Sequence, residues 1–154
     1  MKIISHRANI LGIDTERENN PKYIDECIAM GFDVEIDLRI VSNKLYLGHD
    51  YAQYEIDSDW LKTRKDFLLV HIKEIEALLF IIEHKLDIIY FCHTDDDFTS
   101  ISNGLIWCHN LNTKMNNKCI IPLLSSEQID TFDQFNMYAI CSDYILKAKD
   151  KFSN

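Results

Sequence analysis

The run Asp33-Val34-Glu35-Ile36-Asp37-Leu38-Arg39-Ile40 decides the fold. Side chains on a strand point alternately to its two faces. Val34, Ile36, Leu38 and Ile40 therefore make one apolar face, and Glu35, Asp37 and Arg39 make the other. Two arrangements produce this alternation. Either the charged face meets water, or the strand is buried on both sides and its charges are paired, hydrated or bound to a metal. Three uncompensated charges in a core are too costly for any other outcome.

Short apolar runs ending in a polar or titratable residue recur on either side: 2–6 (KIISH), 44–49 (KLYLGH), 67–73 (FLLVHIK), 88–93 (IIYFCH), 105–109 (LIWCH), 118–124 (KCIIPLL) and 138–143 (YAICSD). Their lengths and their Ile, Val, Tyr and Phe content suit strands. Helical patterns lie between some of them. Residues 21–30 open with Pro21 at a first helical position and stop at Gly31. Residues 74–85 carry apolar side chains at 75, 78, 79 and 82, and shorter helical turns fit 57–62, 125–134 and 144–152. The link Val41-Ser42-Asn43-Lys44 is too short for a helix. Strand–helix alternation predicts an α/β fold with a mainly parallel sheet, and eight strands predict closure into a compact, reduced (β/α)8 TIM-like barrel. Such barrels typically have about 250 residues, so several connecting helices must be missing or shortened. With no repeat or break in composition, residues 1–154 read as one domain.

The chain has 154 residues, 47% hydrophobic and 27% charged, with a net charge of −9. An acidic chain without a Lys/Arg-rich face gains nothing from counterion release, which argues against nucleic acid as partner. No run approaches the roughly 18 apolar residues of a membrane span. The N-terminal apolar stretch after Lys2 is too short for a signal peptide, so the expected location is cytoplasmic. Five cysteines without a CxxC pair (Cys27, Cys92, Cys108, Cys119, Cys141) read as buried, reduced thiols. The pairs Cys92-His93 and Cys108-His109 look like zinc ligands, but strand alternation sends the members of each pair to opposite faces.

His6, His49, His71, His93, His109 and Asp143 all fall at or near the end of a candidate strand, and only His84 lies in a helix. In a parallel barrel the strand C-termini converge on one rim, where loops build the site. Imidazoles gathered there favour a buried, functional charged face for the 33–40 strand over a solvated one.

The first fifty residues resemble the glycerophosphodiester phosphodiesterase family. His6-Arg7-Ala8 matches its HRG opening, Glu18-Asn19-Asn20 its ENT, Glu35-Ile36-Asp37 its ExD strand and His49-Asp50 its HD, with the helix ending at Gly31 in between. The resemblance implies a barrel shared with phosphatidylinositol-specific phospholipases, His6 and His49 as the general acid/base pair, and a hydroxyl neighbouring the phosphate as attacking group. Val70-His71-Ile72-Lys73 stands where the family has a Glu-x-Lys strand, so His71 replaces the glutamate that completes the metal site. Ala8 for Gly and Asn20 for Thr are milder departures, and the family's large loop insertion has no counterpart.

The chemistry of the residues agrees with these roles. Glu35 and Asp37 offer hard oxygens to Mg²⁺ or Ca²⁺. Glu18 is a third candidate ligand or a partner of the ligands. His71 supplies a nitrogen, which suits Mn²⁺ or Zn²⁺ better. Arg7 and Lys73 are natural phosphate contacts, and the two histidines titrate in the range that proton transfer needs. The segment from His93 through Asp95-Asp96-Asp97 to Thr99 reads either as a polyol- or cation-binding loop or as a solvated acidic loop with Asp capping a short helix. Trp107, beside His109, is either a pocket wall or core packing. The expected function is hydrolysis of a small glycerophosphodiester or related polyol- or sugar-linked phosphodiester. The alternative is a barrel that binds a phosphorylated ligand without turnover. A thin helical layer would leave apolar barrel surface bare, which predicts homo-oligomers.

Overall fold

The computed structural model describes residues 1–112 and 114–152. In chain order the elements are β1 (Lys2–His6), α1 (Pro21–Ala29), β2 (Asp33–Val41), β3 (Lys44–Leu47), β4 (Tyr54–Ile56), α2 (Ser58–Arg64), β5 (Leu68–Ile72), α3 (Ile75–Glu83), β6 (Tyr90–Phe91), β7 (Phe98–Ser100), β8 (Ile106–Cys108), β9 (Cys119–Pro122), α4 (Ser126–Thr131), β10 (Ala139–Ser142) and α5 (Ile145–Phe152). The architecture is mixed α/β with one large curled sheet.

Parallel ladders join β6, β5, β2, β1, β10, β9 and β8 in that order. The expected eight parallel strands become seven because the 44–49 run is β3, which pairs antiparallel with the end of β2. Ser42 and Asn43 between them have φ of 48° and 63°. A two-residue turn with both residues left-handed is a hairpin connection, and parallel neighbours need a much longer crossover. The hairpin continues into β4, and β7 adds an antiparallel edge to β8. Both are three-residue strands that the sequence pattern does not reveal.

The sheet curls, and a few groups from its two parallel ends come into contact. Phe91 of β6 and Trp107 of β8 stack at 4.8 Å, and Ser102 N donates to Tyr90 O at 2.9 Å. A cavity at the lower end, of about 50 Å³, is lined by Ile4, Leu69, Ile89, Leu105, Ile120 and Tyr138, residues at the starts of strands all around the curl. Among the described residues no ladder bonds β6 to β8, so hydrogen bonding leaves the sheet open. The connections from β6 to β8 and from β8 to β9 carry no helix among the described residues, where the sequence length requires economy.

Strand alternation separates two cores. Val34, Ile36, Leu38, Val70, Ile72, Ile121 and Ile140 face outward and pack under helices carrying Ile24, Leu61, Ala77, Ile81, Ile129 and Ile145. Inside the curl Ile4, Leu69, Phe91, Trp107, Ile120, Ala139 and Cys141 form a second, smaller cluster. The second strand is therefore buried on both faces: Glu35 and Asp37 are 1% and 0% exposed.

The first helix begins where expected. Asn20 accepts a hydrogen bond from Lys22 N at 2.9 Å, Pro21 takes the first turn, and Tyr23, Ile24 and Cys27 are buried. The third helix turns differently from its sequence pattern. Ala77 and Ile81 face the sheet, while Ile75, Leu79 and Ile82 are 60%, 48% and 55% exposed. A run this uniformly apolar does not define a face, and the small Ala77 allows the closest approach to the sheet. Residues 93–97 form no helix, and Asp95 and Asp96 are exposed. Cys92 is exposed, against the expectation of five buried thiols, and all five are free. No helix among the described residues is long and apolar enough to cross a membrane.

Candidate functional site

Strand register assembles the centre of the site. In the β1–β2 ladder His6 stands beside Glu35, and in the β2–β5 ladder Asp37 stands beside His71. All four point into the curl above the inner apolar cluster. Ligand atoms of Glu35, Asp37 and His71 lie within 4.8 Å of one another. His71 Nδ1 is 3.1 Å from Asp37 Oδ1 and 3.8 Å from Glu35 Oε1.

Two cations border these carboxylates. Arg7 Nε lies 3.1 Å from Asp37 Oδ2, and Lys73 Nζ lies 3.5 Å from Asp37 Oδ1. Burial alone would raise the Asp37 pKa. His71, Arg7, Lys73 and Asn19 outweigh it and hold the carboxyl well below the usual carboxylate range. Glu35 goes the other way, pushed up by complete burial and by the charge of Asp37 next to it. Three buried atoms in this centre, Asp37 Oδ1, Arg7 Nε and His71 Nε2, make no well-aligned hydrogen bond, and the first two are held by the ion pairs just described. Buried polar atoms normally find a partner, so His71 Nε2, with neither a hydrogen bond nor an ion pair, is the atom with capacity left for a ligand.

His6 is aimed by residues from the far end of the chain. Its Nδ1 is 2.8 Å from Asp143 Oδ1, which also accepts from Asn9 Nδ2 at 2.7 Å. The other ring nitrogen, Nε2, faces Glu35 Oε2 at 3.9 Å. Burial opposes the charged imidazolium, but Asp143 and Glu35 prevail and raise the His6 pKa. Glu18 accepts from Asn9 Nδ2 at 2.9 Å and lies 3.5 Å from Arg7 Nη1. It braces the first loop and Arg7, outside the three-residue cluster.

His49 sits at the mouth. Arg39 holds its carbonyl and, at 3.0 Å, that of Gly48, while Gly48 N donates to Asp37 O at 3.1 Å. Gly48 has φ of +150°, and a Cβ there would sit 2.1 Å from Tyr51 O, so only glycine fits this tight approach. The His49 ring bonds Asp50 at 2.8 Å. Its pKa is lowered, first by partial burial and further by Arg7 and Lys73, against Asp37 and Asp50.

His93 stacks on His71 with ring centres 4.7 Å apart. Burial, His71 and His109 push its pKa down to about 4. Trp107 is 3% exposed, within the inner core, and gives its indole N–H to His109 Nε2 at 2.8 Å. A cavity of about 300 Å³ opens beside the centre, lined by Lys73, Glu74, Ile75, Leu78, His93 and Asp96 among others.

The structure thus gathers His6, Arg7, Glu35, Asp37, His71 and Lys73, puts Glu18 behind them and His49 and His93 at the edge. Sequence reading assigned no role to Asn9 and Asn19 and none to Asp143 beyond its strand-end position. Asn19 is fully buried, donates to Asp37 Oδ2 at 3.0 Å and accepts from Asp37 N at 2.9 Å. Its φ of 59° is one that Asn tolerates better than most residues. An Asn beside an acidic residue in a Gly-poor loop was the available signal. No protein-family model, curated protein or solved structure matches the chain.

Proposed function

We propose that the chain is a reduced (β/α)8 barrel that hydrolyses a small glycerophosphodiester or related polyol- or sugar-linked phosphodiester with the help of a divalent metal. The observation that carries this reading is the cluster of Glu35, Asp37 and His71, whose ligand atoms lie buried within 4.8 Å of one another, beside a histidine backed by a carboxylate. The residues fit a metal: two hard, buried carboxylates and an imidazole converge, and the His71 ring keeps one buried nitrogen, Nε2, without a hydrogen bond. Glu35, Asp37 and His71 would hold it; the carboxylates suit Mg²⁺ or Ca²⁺, and the imidazole extends the range to Mn²⁺ or Zn²⁺. When bound, such an ion supplies Lewis-acid polarisation of a phosphoryl oxygen.

The remaining work falls to the chain's own groups. Arg7 and Lys73, already turned toward the carboxylates, hold the phosphate oxygens by charge-assisted hydrogen bonds. His6, fixed at Nδ1 by Asp143, presents Nε2 to accept the proton of an attacking hydroxyl. His49, lying at the mouth with a lowered pKa, exchanges a proton with the leaving oxygen. The cavity lined by Lys73, Ile75, Leu78 and His93 receives the alcohol.

A second reading rests on one specific observation. Arg7 Nε and Lys73 Nζ both stand within 3.5 Å of Asp37, so two built-in cations already offset the carboxylates. This favours a barrel that binds a phosphorylated ligand without turning it over. A divalent-metal screen against a panel of phosphodiesters, with wild type, His6→Ala and His49→Ala, separates the two. Turnover lost in both variants supports the enzyme. Thermal stabilisation by phosphate esters without turnover in any metal supports the binder.

A further inference from the structure

We propose that His93 and His109 form a second cation site, a two-imidazole chelate for a borderline transition-metal ion such as Zn²⁺. It is separate from the Glu35, Asp37 and His71 cluster and does not depend on the function proposed above. Strand alternation, which parts each cysteine from its neighbouring histidine, brings the two histidines to each other. Their ring centres are 4.7 Å apart and their Nε2 atoms 3.4 Å apart.

The hydrogen-bond inventory identifies which nitrogens carry protons. Trp107 Nε1 is a donor only, and it lies 2.8 Å from His109 Nε2, which must therefore be unprotonated. His93 Nδ1 lies 3.0 Å from Thr94 O, an acceptor only, so Nδ1 holds the proton of that ring. A neutral imidazole has one N–H. With both rings neutral, the His93 Nε2 lone pair faces His109 Nε2, whose single lone pair already accepts from the Trp107 N–H, with no hydrogen between the two nitrogens. For the neutral ring, the other tautomer of His93 only moves the conflict, setting Nδ1 against the carbonyl oxygen of Thr94 at the shorter distance.

A shared cation removes the conflict. Zinc–imidazole bonds of about 2.0–2.1 Å at a tetrahedral angle put the two nitrogens roughly 3.3–3.4 Å apart. This matches the observed separation. The His93 Nδ1–H bond to a backbone carbonyl is also how metal-ligating histidines are commonly oriented. His109 is exposed and His93 borders the open cavity, so an ion and its remaining waters have access. Among the described residues the Trp107 N–H is what competes for the His109 lone pair, and the ion must displace it.

The test is a Zn²⁺ titration of the full chain, followed by imidazole and indole ¹⁵N spectra. One equivalent should shift His93 Nε2 and His109 Nε2 and release the Trp107 indole N–H from its hydrogen bond. His93→Gln and His109→Gln should each weaken that step by about tenfold or more. Trp107→Phe, which removes the competing donor, should tighten it roughly fivefold, the equivalent of one ordinary hydrogen bond. A site held only by Glu35, Asp37 and His71 gives different signals: Zn²⁺ moves the His71 ring, and the Gln variants bind it as wild type does. Either of those results, or weaker binding by Trp107→Phe, overturns the proposal.

Discussion

Replacing Asn19 with Ala should destabilise the protein far more than loop position suggests. The side chain is fully buried and makes two hydrogen bonds to one residue, donating to the Asp37 carboxylate at 3.0 Å and accepting from Asp37 N at 2.9 Å. Losing a hydrogen bond to a charged group costs about 1.5–3 kcal/mol, and leaving a buried N–H unpaired costs about 1–3 kcal/mol. Ala must also keep the left-handed backbone that Asn accommodates, adding about 1 kcal/mol. The sum is roughly 4 kcal/mol or more, a large part of a typical total of about 5–15 kcal/mol. At about 2–4 °C per kcal/mol for a chain of this size, Tm should fall on the order of 10 °C. Urea and thermal unfolding with chelator present measure this without interference from bound metal. Asn19→Gly loses the same hydrogen bonds but not the backbone fit, so it should recover about 1 kcal/mol. An Ala variant within about 0.5 kcal/mol of wild type would refute the claim that Asn19 holds Asp37 in place.

Three further outcomes follow from the geometry. The orientation of α3 predicts that Ile81→Ala costs about 2–4 kcal/mol while Leu79→Ala costs less than about 1 kcal/mol, both read from urea midpoints; the reverse order would mean that the helix presents its 75/79/82 stripe to the sheet. Because the His6 pKa is raised, its ion pair with Asp143 adds stability that is fully present below about pH 6.5 and lost as pH rises through the raised value. Asp143→Asn should lower the His6 titration midpoint by NMR and flatten that slope of stability against pH, and an unchanged midpoint counts against Asp143 as the orienting group. A divalent metal at about 100 times its Kd should stabilise wild type by about 2.7 kcal/mol; Asp37→Asn should abolish the gain, and a retained shift would place the ion elsewhere.

Much of the inner wall of the site could be read from the chain alone, because alternation is a local property of strands. The 33–40 run put Glu35 and Asp37 on one face and Val34, Ile36 and Leu38 on the other, and both faces proved buried as soon as the sheet curled. The first helix was equally legible from Asn20, Pro21 and Gly31, whose effects reach only a residue or two. What the chain could not disclose were decisions taken between distant segments. Whether 44–49 joined the parallel set depended on the left-handed conformations of Ser42 and Asn43, and which stripe of α3 faced inward depended on how closely Ala77 approached the sheet. The partnership of His6 with Asp143 spans nearly the whole chain, and the meeting of His93 with His109 follows from two strand ends that only the curl brings together. Periodicity says which side chains share a face; register and curvature say which faces meet.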